Sequence, residues 1–189
     1  MKIRPYPFVI KNAVTADFLA HVTKLTSENE ERFEENGTDG GRKFLVIDFV
    51  TPAGDSYLFD VKEDLAKRFQ LGNYVVPPKL MDFISYITEG GFIHPHMDPD
   101  LRGKRHVRIN VLVRQTDGCI PLLDDIPIAV AVGDAWLNLA SRCKHATTPV
   151  EGPGYRSAIS FGFQIDEKRG DELFEVHQQW LAEVRETSR

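Results

Sequence analysis

The apolar positions change period partway along the chain. In residues 12–35, Phe18, Leu19, Val22 and Leu25 recur at helical spacing behind Thr15, a suitable cap, which predicts a helix. Its acidic second half, 28–35, reads as a solvated face or a fraying end. A short strand at 8–10 precedes it. Residues 43–50 and 56–59 read as strands joined across Pro52-Ala53-Gly54-Asp55, and 61–70 as a short helix. From residue 81 the segments shorten and alternate, predicting strands at 81–88, 92–96, 106–114, 128–130, 135–139 and 156–163. A last helix, 171–186, carries Leu173, Phe174, Trp180, Leu181 and Val184 for packing.

This order predicts a mainly β protein with flanking helices, an antiparallel sandwich or jelly roll. It divides one domain, 1–189, into a helix and strand part at 1–80, a β core at 81–165 and a C-terminal helix at 171–186. The Asn-Gly-Thr-Asp-Gly-Gly stretch at 36–41 is a breaker cluster and a candidate lid.

Composition narrows the partners. A net charge of −5 argues against a nonspecific nucleic-acid binder, which needs a basic face. No apolar run approaches the roughly 20 residues of a membrane span, and residues 1–14 lack the pattern of a signal peptide. The two cysteines, Cys119 and Cys143, have no CxxC spacing and read as reduced thiols, so the expected location is cytoplasmic. The pattern carries no signal for an oligomeric state.

Three features carry chemistry. His96-Met97-Asp98 puts an imidazole and a carboxylate two residues apart, on one side of an extended segment. His145, in a loop before a strand, completes a two-His-one-carboxylate set, which leaves one face of a metal open for co-substrate and O2. Arg156 follows His145 by eleven residues, across a Pro- and Gly-rich reversal. Its guanidinium suits the distal carboxylate of a dicarboxylic acid. The spacing of HxD, a distant His and then Arg is a strong joint signal.

With these residues in view, the stretch 86–163 resembles the prolyl-4-hydroxylase-like group of the Fe(II)/2-oxoglutarate dioxygenase superfamily. Tyr86-Ile-Thr-Glu-Gly90-Gly-Phe92-Ile-His-Pro-His96-Met-Asp98 is similar to that group's segment around its HxD. Gly133-Asp-Ala-Trp136-Leu-Asn-Leu is similar to the strand before its second His, and His145 through Pro149, Val150 and Arg156 to its closing motif. The first eighty residues carry no such likeness.

The resemblance implies a double-stranded β-helix, a jelly-roll barrel with iron at its mouth. It implies Fe(II) on His96, Asp98 and His145, and 2-oxoglutarate as co-substrate with its C5-carboxylate on Arg156. Tyr86 matches a position whose hydroxyl helps hold that carboxylate. Many relatives carry Ser or Thr two residues after the Arg; here that position is Ala158, so Tyr86 or Ser160 is expected to supply the hydroxyl.

Other polar residues have plainer readings beside functional ones. His106, Arg108 and Asn110 alternate with Val107, Ile109 and Val111, giving either a solvent-facing edge or a lined pocket. Arg108 and Asn110 are candidate pocket and co-substrate residues. Trp136 is expected in the core rather than as a substrate platform. His94 reads as structural, His21 and His177 as surface residues on helices, and Asp100, Asp124 and Asp125 as turn residues.

The expected activity is hydroxylation, coupled to decarboxylation of 2-oxoglutarate to succinate. The substrate is a prolyl or other residue of a protein or peptide, a free amino acid, or a small metabolite. Two alternatives stay open: an oxidative demethylase of a nucleobase or side chain, and a metal- and 2-oxoglutarate-binding barrel without turnover. The acidic charge weighs against nucleic acid, and retention of Asp98 argues against halogenation.

Overall fold

In the computed structural model, residues 5–35, 40–47, 55–76, 82–100 and 103–187 are described. Eleven strands and three helices follow one another as β1 (Val9–Ile10), α1 (Ala16–Glu28), β2 (Glu34–Glu35), β3 (Arg42–Val46), α2 (Ser56–Arg68), β4 (Tyr74–Val75), β5 (Phe83–Thr88), β6 (Arg105–Arg114), β7 (Pro121–Leu123), β8 (Ile126–Pro127), β9 (Ala135–Asn138), β10 (His145–Thr147), β11 (Tyr155–Ile165) and α3 (Glu167–Thr187). A short 3-10 turn, Glu30–Arg32, lies between α1 and β2.

Helix α1 starts where its cap allows, with the Thr15 hydroxyl accepting from Phe18 N. It is shorter than the apolar spacing suggested, because after Glu28 the chain turns and pairs Glu34 and Glu35 with Phe44 and Lys43 on β3. Residues 56–59 are the first turn of α2 rather than a strand. The Asp55 carboxylate accepts from Tyr57 N and Leu58 N, and this cap outweighs the local β-prone sequence. The Pro52 to Gly54 part of that expected turn, most of the candidate lid at 36–41 and Met81 lie outside the described residues.

Eight strands form one antiparallel sheet in the order β1-β9-β6-β11-β5-β3-β2, with β4 added to β11; β10-β7-β8 form a second, smaller sheet. Residues 92–96 are not a strand, although His96 bridges to His145. Ile128 follows β8 rather than opening a strand of its own, and β7 and β10 are strands that the sequence pattern did not announce. Both are short, and a period of two needs several residues to become visible.

The large sheet is covered on both faces. Leu45, Ile84, Val107, Ile109, Leu137, Ile159 and Phe161 turn toward α1 and α2, packing against Phe18, Val22, Leu58 and Leu65. Their alternate neighbours turn the other way, into a cavity closed by β7 and β10. Helix α3 joins the two regions. Leu173 belongs to the first cluster, whereas Trp180, Leu181 and Val184 pack with Tyr6, Leu112, Leu123 and Trp136. His177 on α3 is not a surface residue: it is 0 % exposed and bonds the Asp124 carboxylate at 2.8 Å. His21 keeps partial exposure and pairs with Asp55. Both cysteines are free and buried. Among the described residues, no helix is long and apolar enough to cross a membrane.

Candidate active site

The cavity has a volume of about 370 Å³ and lies between the two sheets. The polar row of β6 opens into it, so His106, Arg108 and Asn110 line a pocket and not a solvent edge. Trp136 and Asn138 of β9, Ser85 of β5, and Arg156, Ala158 and Ser160 of β11 line the same face. His145 reaches it from the small sheet, and His96 and Asp98 from the loop after β5.

His96 and His145 are held by a matched pair of devices. Their backbones exchange two hydrogen bonds, His96 N to His145 O at 3.1 Å and His145 N to His96 O at 2.9 Å. Opposed residues of an antiparallel bridge project to one side, and the rings lie 4.2 Å apart. Each Nδ1 faces the carbonyl two residues earlier, His94 O at 2.7 Å and Cys143 O at 3.3 Å. A proton on Nδ1 donating to that carbonyl leaves the Nε2 lone pair free for a metal. The Asp98 backbone is anchored by N–H donation to Ala140 O at 2.8 Å. One ligand atom from each of His96, Asp98 and His145 lies within 4.8 Å of the others. Burial, and then the neighbouring His96, pulls the His145 pKa down to about 4, so near neutrality its imidazole is uncharged and able to ligate.

His106 is a participant to which the sequence attached no specific role. Its ring is buried, and Nδ1 lies 3.4 Å from Asp98 Oδ2. Burial, and then the charge of Arg108, lowers its pKa to about 4. The neutral ring lies against Asp98, and neither of its nitrogens makes a hydrogen bond among the described residues.

Arg156 is 2 % exposed, and its Nε and one terminal nitrogen have no hydrogen-bond partner among the described residues. Its guanidinium carbon lies 5.6 Å from the centre of the Trp136 ring. Trp136 is therefore both a core residue and a cavity wall. A buried guanidinium with unmatched donors is costly, and the cost is removed by an anion that fills them. Burial, only partly countered by neighbouring Cys119, lowers its pKa from the usual arginine range.

Ser160 and Asn110 line the same cavity as His96, Asp98, His145 and Arg156. The Ser160 hydroxyl donates to Asn110 Oδ1 and accepts from Arg108 Nε, both at 2.8 Å. The Asn110 amide nitrogen is the end left to meet a ligand oxygen.

Tyr86 does not join them. Ser85 points into the cavity, so Tyr86, one residue on, points to the opposite face. There it stacks on Tyr155 at 4.3 Å and meets the edge of Phe33. Its expected role beside Arg156 is corrected: the hydroxyl among the cavity residues nearest in sequence to Arg156 is that of Ser160. The sequence also passed over Arg42 and Phe83, which enter the cavity from β3 and β5. The only earlier signal was the parity of Arg42, Phe44 and Val46.

No protein-family model and no curated protein matches the chain. Solved structures do. The fold is the one found in the 2-oxoglutarate/Fe(II) oxygenases, prolyl hydroxylases among them. A Pseudomonas putida prolyl-4-hydroxylase is 13% identical over 84% of this chain and 91% of its own, with a TM-score of 0.61. A Trichoplax adhaerens prolyl hydroxylase, solved with a hypoxia-inducible-factor peptide fragment, is 18% identical over 86% of this chain and 84% of its own, with a TM-score of 0.63. HygX from Streptomyces hygroscopicus, solved with nickel and 2-oxoglutarate, is 13% identical over 83% and 82%, with a TM-score of 0.60.

Proposed function

We propose that this chain is an Fe(II)- and 2-oxoglutarate-dependent oxygenase built on a double-stranded β-helix, and that it hydroxylates a small molecule or a single side chain. The carrying observation is one cavity that holds both a three-ligand metal set and a buried guanidinium with unfilled donors. In this reading His96 and His145 ligate through Nε2 and Asp98 through its carboxylate, a set that keeps an open face. Fe(II), when bound, supplies the activation of O2 and the oxidising power for a C–H bond. The overall balance consumes 2-oxoglutarate, O2 and a C–H bond and yields succinate, CO2 and a C–OH.

The remaining work belongs to this chain's own groups. Arg156 takes the distal carboxylate of 2-oxoglutarate, while Asn110 and Ser160 orient its body. The apolar walls Ile93, Pro121, Leu123 and Trp136 exclude water from the reacting centre. The cavity volume is near the small end of the roughly 300–1,000 Å³ common for ligand sites, which favours a compact substrate group. Hydroxylation at an N-methyl carbon would register as demethylation with formaldehyde release, and a protein that binds without turnover would form no succinate.

The deciding experiment is anaerobic titration of the protein with Fe(II) and then 2-oxoglutarate, followed through the weak visible charge-transfer band of the chelate. The band should appear in the wild type and be absent from Asp98→Ala. Its absence from the wild type, with no thermal stabilisation by either ligand, would end the reading.

A further inference from the structure

A second group of metal-ligand side chains is not among the residues that line the cavity. One ligand atom each from Asp124, Cys143 and His177 lies within 4.8 Å of the others. Three separate segments bring them together. Asp124 stands in the turn between β7 and β8, Cys143 in the stretch leading into β10, and His177 on α3. Hydrogen bonds hold the first two segments side by side. Asp124 N donates to Lys144 O at 2.8 Å, and Lys144 N returns a bond to the Asp124 carboxylate at 2.9 Å.

The 2.8 Å hydrogen bond between His177 Nε2 and Asp124 accounts for only part of this cluster. The other ring nitrogen, Nδ1, is buried and has no hydrogen-bond partner among the described residues. Nor has the hydroxyl of Tyr6, a residue 4 % exposed whose ring lies edge-on to His177 at 5.8 Å between centres. That hydroxyl faces the cluster: burial, then the neighbouring Cys143 and Asp124, raise its pKa well above the usual tyrosine value. An imidazole nitrogen and a phenol without partners are costly in an apolar interior. Here both stand beside a thiol that is itself 0 % exposed.

We infer that Asp124, Cys143 and His177 form a second metal site, which takes Zn(II) and pins α3 to the small sheet, with the Tyr6 hydroxyl bonded to the ligating thiolate. Sulfur, imidazole nitrogen and carboxylate oxygen are donors that zinc accepts in tetrahedral geometry, and a water completes the four. Charge favours the assignment. A dication with one thiolate and one carboxylate is neutral as a unit, so it can be buried where either anion alone could not. On binding, the Cys143 S–H bond breaks, its proton leaves to solvent, and the sulfur bonds the metal with no change in oxidation state. The site does not depend on the oxygenase reading, but it bears on the triad. Cys143 O faces His145 Nδ1 at 3.3 Å, so fixing Cys143 fixes the carbonyl that orients that ring. Ni(II) favours square-planar or tetragonal nitrogen and oxygen sets and is a poor occupant here, so nickel reads the triad.

Co(II) is the probe, because a thiolate-to-cobalt charge-transfer band in the near ultraviolet arises only where sulfur is a ligand, and the His96, Asp98 and His145 set has none. The reduced, chelator-treated full chain is titrated with Co(II) under nitrogen. The band should appear in the wild type, persist in Asp98→Ala and vanish in Cys143→Ser, and Zn(II) should bleach it. Asp98→Ala should take up about one equivalent of Zn(II) and lose at least about 5 °C of melting temperature when the zinc is removed. A chain that unfolds on zinc removal and refolds on its return would give the same answer. Asp124→Asn, at the part-exposed position, should weaken zinc binding by about tenfold or more, and it covers the case in which Cys143→Ser fails to fold. A wild type without the band, a band that survives Cys143→Ser, or one lost instead in Cys119→Ser would overturn the inference. So would an Asp98→Ala protein that takes up no zinc, whose Tyr6 and His177 groups would then be satisfied by buried water alone.

Discussion

His96 and His145 are cross-strand partners that exchange both backbone hydrogen bonds, and each ring is oriented by the carbonyl two residues before it. The proposed metal set is therefore built on the backbone pairing of two distant segments. Asp98, one alternation beyond His96, completes the set without a further element.

Asp98→Ala should abolish metal binding more completely than it disturbs the fold, because the carboxylate is part-exposed and lines the cavity. Thermal unfolding with and without Ni(II) measures this. The wild type should be stabilised by the metal and the variant should not. A variant stabilised as much as the wild type would remove Asp98 from the ligand set.

Arg156→Leu separates the metal from the co-substrate. Metal affinity should hold, while 2-oxoglutarate binding weakens by on the order of 2–5 kcal/mol, the cost of losing a buried charged partner. The ligand-free variant should unfold at a temperature no lower than the wild type, since an unmatched buried guanidinium is replaced by an apolar side chain. Calorimetric titration of 2-oxoglutarate and a melting curve measure the two halves; unchanged affinity would refute the Arg156 role.

His106→Phe keeps the ring volume and removes the nitrogen 3.4 Å from Asp98. Metal affinity should fall by about 10- to 100-fold, as for other groups that orient a ligand from behind. Competition with a chromophoric chelator reads this directly. A fall of less than about twofold would show that His106 only fills space.

The Asp124–His177 pair should control acid stability. Burial opposes ionisation of Asp124, but hydrogen bonds from His177 and from Lys144 N outweigh it and hold the carboxyl below its usual range. A carboxyl depressed in the folded state contributes stability that is present above the unfolded value, about 3.9, and lost as pH falls through the folded one. Asp124→Asn should cost about 1–3 kcal/mol at neutral pH and flatten the loss of stability below about pH 4. Urea unfolding midpoints of both proteins across that range provide the check; parallel curves would contradict it.

Much of this protein is local and was open to reading along the chain. Alternation in residues 106–114 and 156–163 predicted the two central strands, and Thr15 marked the start of α1. His96, Asp98, His145 and Arg156 stood out by residue type and spacing, and the structure brings all four to one cavity. Such features depend on a few neighbouring residues, so a sequence determines them nearly alone.

What the tertiary structure decided depends on register and on which surface is covered. Parity says that Ser85 and Tyr86 face opposite ways, but only the packing of α1 and α2 on one face and the small sheet on the other says which enters the cavity. The same packing turned the polar row of β6 into a pocket wall and buried His177 under Tyr6 and Trp180. Arg42, Phe83 and Arg108 are separated by dozens of residues and meet only because β3, β5, β11 and β6 lie side by side in that order. The sequence by itself determined the chemical groups and their faces; the pairing of strands, set by long-range burial of the apolar face, determined which groups share a site.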